Sequence, residues 1–346
     1  MKKLLLIGTN SIHTLNYLNL IRDYFSDVYV LTDADGEKYN VPFKCINFSF
    51  SNPVKVIQSI LTIKKTLTEF NPDIIHIQQV GTHAWMTIQA NRKARKPIIV
   101  TAWGSDILST PSKGFLYFKM AKSILKNVQF FTSDSTFMGN EMNRIANEKL
   151  NITIANFGIN IDQTELPKEN IIFSNRAHKP LYRIELILQA FSRFSKTDIG
   201  QEWKLVVAGD GEQTQQLKNM AIELGIAEKV DFVGWLTKEQ NSNYYQKSRL
   251  FVSIPESDAT SISLLEAMAA GCIPIVSDLP ANAEWITDGN NGIIVKNLSD
   301  DFFCKALHLD YKNLKRINTE IIHRDGTKEA NRKKFIDLYN QILQQA

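Results

Sequence analysis

Residues 250–277 read LFVSIPESDATSISLLEAMAAGCIPIVS. Leu250–Ile254 is a short apolar run, Pro255–Thr260 is polar, 261–270 carries helical apolar spacing, and Pro274–Ser277 is apolar again. A buried strand, a loop, a helix and a second buried strand make one unit of a parallel sheet. Strands covered on both faces are apolar throughout, and a crossover of this length needs a helix.

The same order recurs outward in both directions. Upstream, Ile171–Phe173 reads as a strand, 183–195 as a helix, and Lys204–Ala208 (KLVVA) as a strand ending in Gly209-Asp210-Gly211. A helix over 212–224 stops at Gly225, a residue suited to a helix C-terminus, and Val230–Val233 and a helix over 238–247 follow. The N-terminal half repeats the pattern: Lys3–Gly8, a helical stretch to Phe25, Asp27–Thr32, a helix over 53–70, Asp73–Ile77, a helix over 84–95, and Pro97–Thr101. Lys3–Ile7 reads as a first buried strand rather than a secretory h-region, because its apolar run is too short and no small-residue cleavage site follows. The expected fold class is therefore α/β, with two doubly wound units. The expected spans are 1–165, 166–326 and a C-terminal helical segment 327–346, with polar 160–170 as the linker.

A chain of 346 residues suits two domains. No stretch is apolar for long enough to span a bilayer as a helix. Cys45, Cys272 and Cys304 show neither metal spacing nor a disulfide framework, which favours a reducing, cytoplasmic setting. Residues 1–160 carry 18 Lys+Arg against 11 Asp+Glu, whereas the remainder carries 22 against 25. The basic half suits an anionic surface as well as plain solvation.

Asp258 and Glu266 flank a small, hydroxyl-rich helix start, Ala259-Thr260-Ser261-Ile262-Ser263. The free N–H groups and positive end of a helix suit a diphosphate, and carboxylates accept hydrogen bonds from sugar hydroxyls. The spacing equally fits a surface helix capped by Ser261 with solvated acids.

The surrounding residues resemble those of retaining glycosyltransferase family 4, the glycosyl transferases group 1. The resemblance rests on Asp258 seven residues before Leu265-Glu266-Ala267-Met268-Ala269-Ala270-Gly271, followed by Pro274-Ile275-Val276-Ser277 and Glu284–Gly292. Upstream, Val207–Gly211 and Val230–Trp235 stand in the family's order. It implies a GT-B architecture, two Rossmann-like domains facing a cleft with the C-terminal helix crossing back to the first. It also implies a nucleoside diphosphate sugar, UDP- or GDP-linked, bound mainly by the second domain, an acceptor bound by the first, and no cofactor or bound metal. Glu266 would grip the ribose, Asp258 the sugar, Ser261, Ile262, Ser263 and Leu264 the phosphates and sugar, and Val233, Gly234, Trp235 and Leu236 the base. Gly8 resembles the family's first loop and Gly209 its second landmark. Arg176 fits the family's phosphate arginine. Position 181, where a lysine is common, is Leu, which leaves Lys179 and Arg183 as displaced candidates.

The first half departs further. Thr101-Ala102-Trp103-Gly104-Ser105-Asp106 carries Trp103 where the family often has His. Asp106 is then the leading carboxylate on that side, for donor orientation or proton removal, with a turn cap as its ordinary role. His13, His76 and His83 are acceptor-side candidates; a histidine on a strand also serves as a satisfied core residue. Neither Gly8-Thr9-Asn10 nor Gly209-Asp210-Gly211 completes GxGxxG, which disfavours a nicotinamide dehydrogenase. Gly114–Asn127 interleaves Phe115, Leu116 and Phe118 with Lys119, Lys122 and Lys126, and 55–65 is a weaker version. Such a helix suits peripheral contact with an anionic membrane, or a core-facing role with a wet basic side.

The expected function is retaining hexosyl transfer to a glycan or lipid-linked acceptor, in surface polysaccharide, lipopolysaccharide or glycan assembly, with no nucleic-acid partner. The rival readings are an isomerase like a nucleotide-sugar 2-epimerase and a nucleotide-sugar-binding protein without turnover.

Overall fold

The structure is a computed structural model that describes residues 2–162, 164 and 166–345. These fall into two compact units, Met1–Phe157 with Lys328–Ala346, and Gly158–Thr327. The change comes at Phe157, earlier than the polar linker suggested. Ile159 already belongs to the second unit: its N–H donates to Gly326 O at 2.8 Å, and its side chain is buried in that unit's core.

The first unit opens with β1 (Lys3–Ile7), α1 (Ile12–Ile21), β2 (Asp27–Thr32), β3 (Phe43–Cys45), α2 (Pro53–Phe70), β4 (Ile74–Gln78) and α3 (Thr82–Asn91). It continues with β5 (Ile98–Ala102), α4 (Ser105–Leu108), α5 (Phe115–Asn127), β6 (Phe130–Ser133), α6 (Thr136–Ala146) and β7 (Ile152–Ile154). The second unit holds β8 (Glu169–Ser174), α7 (Ile184–Phe194), β9 (Lys204–Ala208), α8 (Thr214–Glu223), β10 (Val230–Gly234), α9 (Lys238–Lys247) and β11 (Ser248–Ser253). It ends with α10 (Ile262–Ala269), β12 (Ile273–Ser277), α11 (Pro280–Ala283), β13 (Ile293–Val295), α12 (Phe302–Leu307) and α13 (Tyr311–Ile321). The final helix, α14 (Lys328–Gln345), belongs to the first unit.

The sheets run β3-β2-β1-β4-β5-β6-β7 and β10-β9-β8-β11-β12-β13, and all their pairings are parallel. Every residue of β4, β5 and β12 is buried, as strands covered by helices on both faces must be. Each sheet has one point where the strand order reverses, between β1 and β4 and between β8 and β11. Ligands of doubly wound folds bind beyond the carboxyl ends of the strands at such points. Gly8 and Gln78 therefore meet at one switch point, and Arg176 and the loop to Asp258 at the other.

Local chemistry moved several element ends. The helix expected over 84–95 stops at Asn91, whose side chain accepts from Lys96 N–H at 3.0 Å and donates to Lys96 O at 2.8 Å. Arg95 then takes a left-handed turn with φ 50°. The helix expected to Phe25 ends at Ile21 and passes into a short 3₁₀ turn.

α14 is fastened within the first unit by polar groups. Asn331 Oδ1 accepts from Asn156 N–H at 2.9 Å, and Arg332 grips both carboxylate oxygens of Asp23 at 2.9 Å. Its Tyr339 hydroxyl lies 3.0 Å from His76 Nδ1.

Candidate donor site and first-unit edge

In the second unit, the strand ends bring Arg176 and Asp258 together across 82 positions of sequence. Arg176 Nη2 lies 2.7 Å from Asp258 Oδ2, and its Nη1 donates to Ser261 Oγ at 2.7 Å. The guanidinium stacks over the Tyr182 ring, 4.4 Å from its centroid. Ser261 is at the N-cap position of α10 with extended backbone, yet its hydroxyl makes no cap bond to the helix. It serves the arginine instead, so the first N–H groups of α10 keep their capacity for an anion.

Glu266 sits one turn inside α10 and is held from α9. Asn241 Nδ2 donates to Glu266 Oε2 at 3.4 Å, and Asn175 Nδ2 donates to Asn241 Oδ1 at 3.0 Å and to the Tyr245 hydroxyl at 2.7 Å. Burial, and then the charge of Glu266, push the Tyr245 hydroxyl well above the usual tyrosine range, so it stays neutral. Ile159, Asn160, Asp162, Asn241, Tyr245 and Glu266 line a cavity of about 270 Å³. Asn175, Asn241 and Tyr245 escaped the sequence reading. The available signals were the position of Asn175 beside Arg176 and the four-residue spacing of Asn241 and Tyr245 on α9.

The Gly209-Asp210-Gly211 loop is packed against the residues after β8. A Cβ on Gly209, where φ is 107°, would stand 2.4 Å from Arg176 O, and one on Gly211 would stand 2.5 Å from His178 O. Glycine is required here by close backbone approach. His178, also unremarked in the sequence, is buried with Nδ1 2.7 Å from Thr214 Oγ1. Gly234 has φ 69° and follows a register shift in β10, and Trp235 beside it is 69% exposed. Val233 is half-buried.

The two displaced cations differ. Arg183 donates from Nε to Ile254 O at 2.8 Å and from Nη2 to Pro255 O at 2.9 Å, which fastens the loop leading to Asp258. Lys179 is exposed.

In the first unit, Asp106 is buried. Its Oδ2 accepts from Val80 N–H at 2.8 Å and its Oδ1 from Trp103 N–H at 3.0 Å. Burial raises its pKa above the usual carboxylate value. Both oxygens are thus engaged in joining the loops after β4 and β5. Trp103 donates from Nε1 to Gln78 Oε1 at 2.9 Å and stacks on Phe157 with centroids 3.9 Å apart. His13, exposed on the first turn of α1, lies nearly parallel to both rings at 6.0 and 5.5 Å. Gly8 is closed over by Thr14 and Gln78: an added Cβ would stand 2.8 Å from Thr14 Oγ1.

His76 and His83 are core residues. His76 Nδ1 is 2.6 Å from the Tyr17 hydroxyl and Nε2 is 2.6 Å from Thr101 Oγ1; burial lowers its pKa to about 3. His83 Nε2 bonds Gln78 O at 2.5 Å, and burial keeps it neutral as well. Of the acceptor-side candidates, His13, Trp103 and His83 lie at the strand ends, His83 buried beside a cavity that Thr9 and Asp33 also line, whereas His76 lies within β4.

Residues 158–315 match the family described as "Glycosyl transferases group 1", and residues 2–135 match "Glycosyl transferase 4-like". The chain belongs to the glycosyl transferases group 1 of the family 4 type, and its fold is GT-B.

Among particular proteins, it is similar to the GDP-mannose:cellobiosyl-diphosphopolyprenol alpha-mannosyltransferase of Xanthomonas oryzae pv. oryzae. That similarity is 29% identity over 116 residues, 32% of this chain and 30% of the relative. The alpha-monoglucosyldiacylglycerol synthase of Streptococcus pneumoniae is 24% identical over 294 residues, covering 75% of this chain and 65% of the relative. Among solved structures, Anabaena Alr3699/HepE in complex with UDP superposes with a TM-score of 0.79 at 14% identity, covering 99% of this chain and 100% of that one.

Proposed function

We propose that this chain transfers a sugar from a nucleoside diphosphate sugar to a hydroxyl acceptor with retention of anomeric configuration. The observation that carries this reading is Arg176, held by Asp258 and Ser261 at an uncapped helix start, with Glu266 one turn inside the same helix. A guanidinium and free helix N–H groups neutralise a departing diphosphate without a metal ion being required of the protein. Lys179, exposed and three residues past Arg176, is the second cation.

Glu266 accepts from the ribose hydroxyls, and its bond from Asn241 fixes the carboxylate for that task. Asp258 accepts from the donor sugar, and Val233, Gly234 and Trp235 border the base. Gly209 lets the loop after β9 lie against Arg176. The second unit, 158–327, is then the nucleotide-sugar domain, and the first, with α14, the acceptor domain.

On the acceptor side, His13 and Trp103 present the surface for the incoming hydroxyl compound, beside the Gly8 loop. Asp106 acts as a positioning residue that fixes the Trp103 loop. The acceptor hydroxyl attacks the anomeric carbon on the face from which the diphosphate leaves, and its proton passes to a phosphate oxygen of the leaving group. The base is uracil or guanine. The acceptor is a glycan or lipid-linked saccharide of surface polysaccharide or lipopolysaccharide assembly, made at the cytoplasmic face of the membrane. Similarity to a cellobiosyl-diphosphopolyprenol alpha-mannosyltransferase and to an alpha-monoglucosyldiacylglycerol synthase supports this class of acceptor.

Thermal unfolding against UDP, GDP, ADP, CMP and NAD tests the reading. A ligand at about 100 times its Kd adds about 2.7 kcal/mol. One nucleoside diphosphate should raise Tm, and Glu266→Ala should weaken that ligand about tenfold or more, since hydrogen bonds to a charged group contribute about 1.5–3 kcal/mol. A response to NAD alone, or one indifferent to Glu266, refutes the assignment. Conversion of the nucleotide sugar to an isomer without any acceptor would replace it with an epimerase.

A further inference from the structure

Arg176 does not keep its place in the donor site unaided. Beside it, Pro180–Tyr182 forms a single 3₁₀ turn, opened by the fixed backbone of Pro180 and closed by the bond from Arg183 N–H to Pro180 O at 3.1 Å. Arg183 has a left-handed backbone, with φ 50° and ψ 42°. A side chain other than glycine keeps that conformation only where its surroundings hold it. Its own guanidinium supplies the hold, through Nε to Ile254 O at 2.8 Å and Nη2 to Pro255 O at 2.9 Å. A further bond runs back from Glu256 N–H to Leu181 O at 2.9 Å. The turn is thus fastened at three successive residues, Ile254, Pro255 and Glu256, to the strand end that leads to Asp258.

This fastening aims Tyr182. Its ring is partly buried against the core of the second unit and carries the Arg176 guanidinium on its face, 4.4 Å from the centroid. A guanidinium is attracted to the negative face of a ring and stacks on it. Two edges of the same guanidinium are taken by Asp258 and Ser261, each at 2.7 Å. The contacts close into a ring, from Arg176 to Asp258, along the loop to Ile254, through Arg183 to Tyr182, and back to Arg176. Asp258 and Ser261 take only two of the five N–H donors of a guanidinium, so donors remain for an anion. An arginine ordered in advance does not lose its rotamer freedom when the anion arrives.

We propose that Tyr182 and Arg183 are positioning residues of the donor site. Arg183 locks the turn to the Asp258 loop, and the Tyr182 ring holds Arg176 in the orientation that meets the diphosphate. Arg183 is then a fastener of the backbone and no ligand of the phosphates. Both roles rest on the transferase reading, through the place of Arg176 at the diphosphate.

The test is calorimetry of the full chain with UDP and with GDP. Tyr182→Leu keeps an apolar side chain against the core without a ring face, and should weaken the diphosphate about tenfold, within the range of a desolvated cation–π contact. Tyr182→Phe keeps the face and should restore affinity to within about twofold of the wild type. Arg183→Lys keeps the charge but replaces the fork by a point donor, and should lose about tenfold as well. On an Arg176→Ala background, Tyr182→Leu should cost nothing more, because a residue that acts through a partner has no effect once the partner is gone. A merely structural role for Tyr182 would give the same loss on both backgrounds. Cooperative unfolding in denaturant checks that each variant is folded. Undiminished binding by Tyr182→Leu, or an equal further loss on the Arg176→Ala background, overturns the role of Tyr182. Wild-type binding by Arg183→Lys overturns the role of Arg183. A diphosphate bound alike by the wild type and by Arg176→Ala overturns the proposal while nucleotide binding stands. A wild type that binds neither UDP nor GDP overturns the transferase reading and the proposal with it.

Discussion

Replacing Asp258 with Asn separates the two tasks assigned to the donor site, because the two ligand forms should respond in opposite directions. The Asp258 carboxylate occupies, at 2.7 Å, the Arg176 guanidinium proposed for the diphosphate, with the two side chains 23% and 11% exposed. Opposite charges about 4 Å apart are worth about 4 kcal/mol at an effective dielectric constant of about 20. Partial exposure and the remaining contacts of Arg176 with Ser261 and Tyr182 reduce that figure. The free protein should therefore lose about 1–2 kcal/mol of stability. A bound nucleoside diphosphate feels Asp258 as a neighbouring like charge and as a competitor for Arg176. Removing that charge should tighten UDP or GDP by about tenfold, or about 1.4 kcal/mol. On the proposed role, the nucleotide sugar uses the same carboxylate for a hydroxyl, a charged hydrogen bond of about 1.5–3 kcal/mol. Its kcat/KM should fall about ten- to hundredfold.

Calorimetry with the nucleoside diphosphate and steady-state transfer with the nucleotide sugar read the two effects on one preparation. Weaker diphosphate binding in Asp258→Asn would mean that the carboxylate supports the phosphate site rather than competing for it. Unchanged transfer would remove Asp258 from sugar recognition.

Two further expectations concern stability. Gly209→Ala and Gly225→Ala both place a Cβ on a backbone with positive φ, but the first meets Arg176 O at 2.4 Å and the second meets nothing within 4 Å. Denaturant unfolding should show about 1 kcal/mol lost at Gly225 from backbone strain and at least about 1 kcal/mol more at Gly209 from the added clash; equal losses would show that the loop yields freely. His76 has its pKa depressed to about 3 by burial, below the 6.5 of an unfolded histidine. Below pH 6.5 the unfolded chain takes up a proton that the folded chain refuses, so stability falls as pH drops, by up to about 1.4 kcal/mol per pH unit from this group, until pH approaches 3. A His76→Gln variant should be less stable at pH 7 yet lose less between pH 6.5 and 4. An unaltered slope would show that other groups govern acid unfolding.

Much of the secondary structure was legible in the sequence because it is local. α2 at Pro53–Phe70, β9 at Lys204–Ala208 and α9 at Lys238–Lys247 have the limits that periodicity gives them. Apolar strands alternating with helices fix a parallel α/β class, since only buried strands can be apolar on both faces. The run from Asp258 to Gly271 also marked the start of α10 as the candidate donor site, because its residues are neighbours in sequence.

Tertiary structure decided which candidates share a site, because strand order, not chain distance, sets proximity. The reversal between β8 and β11 brings Arg176 to Asp258 and Ser261, and it turns Ser261 from a helix cap into a ligand of arginine. Asn175, Asn241 and Tyr245 come to bear on Glu266 only once α9 lies beside α10. Burial sorted the rest. His76 and His83 read in the sequence either as acceptor-side candidates or as satisfied core residues, and desolvation makes them neutral buried residues. Asp106 closes two loops with both of its oxygens, and Arg183 spends its guanidinium on two carbonyls of the neighbouring strand end. A titratable side chain announces its chemistry in the sequence, whereas its solvent exposure and its hydrogen-bond partners are properties of the packed chain alone.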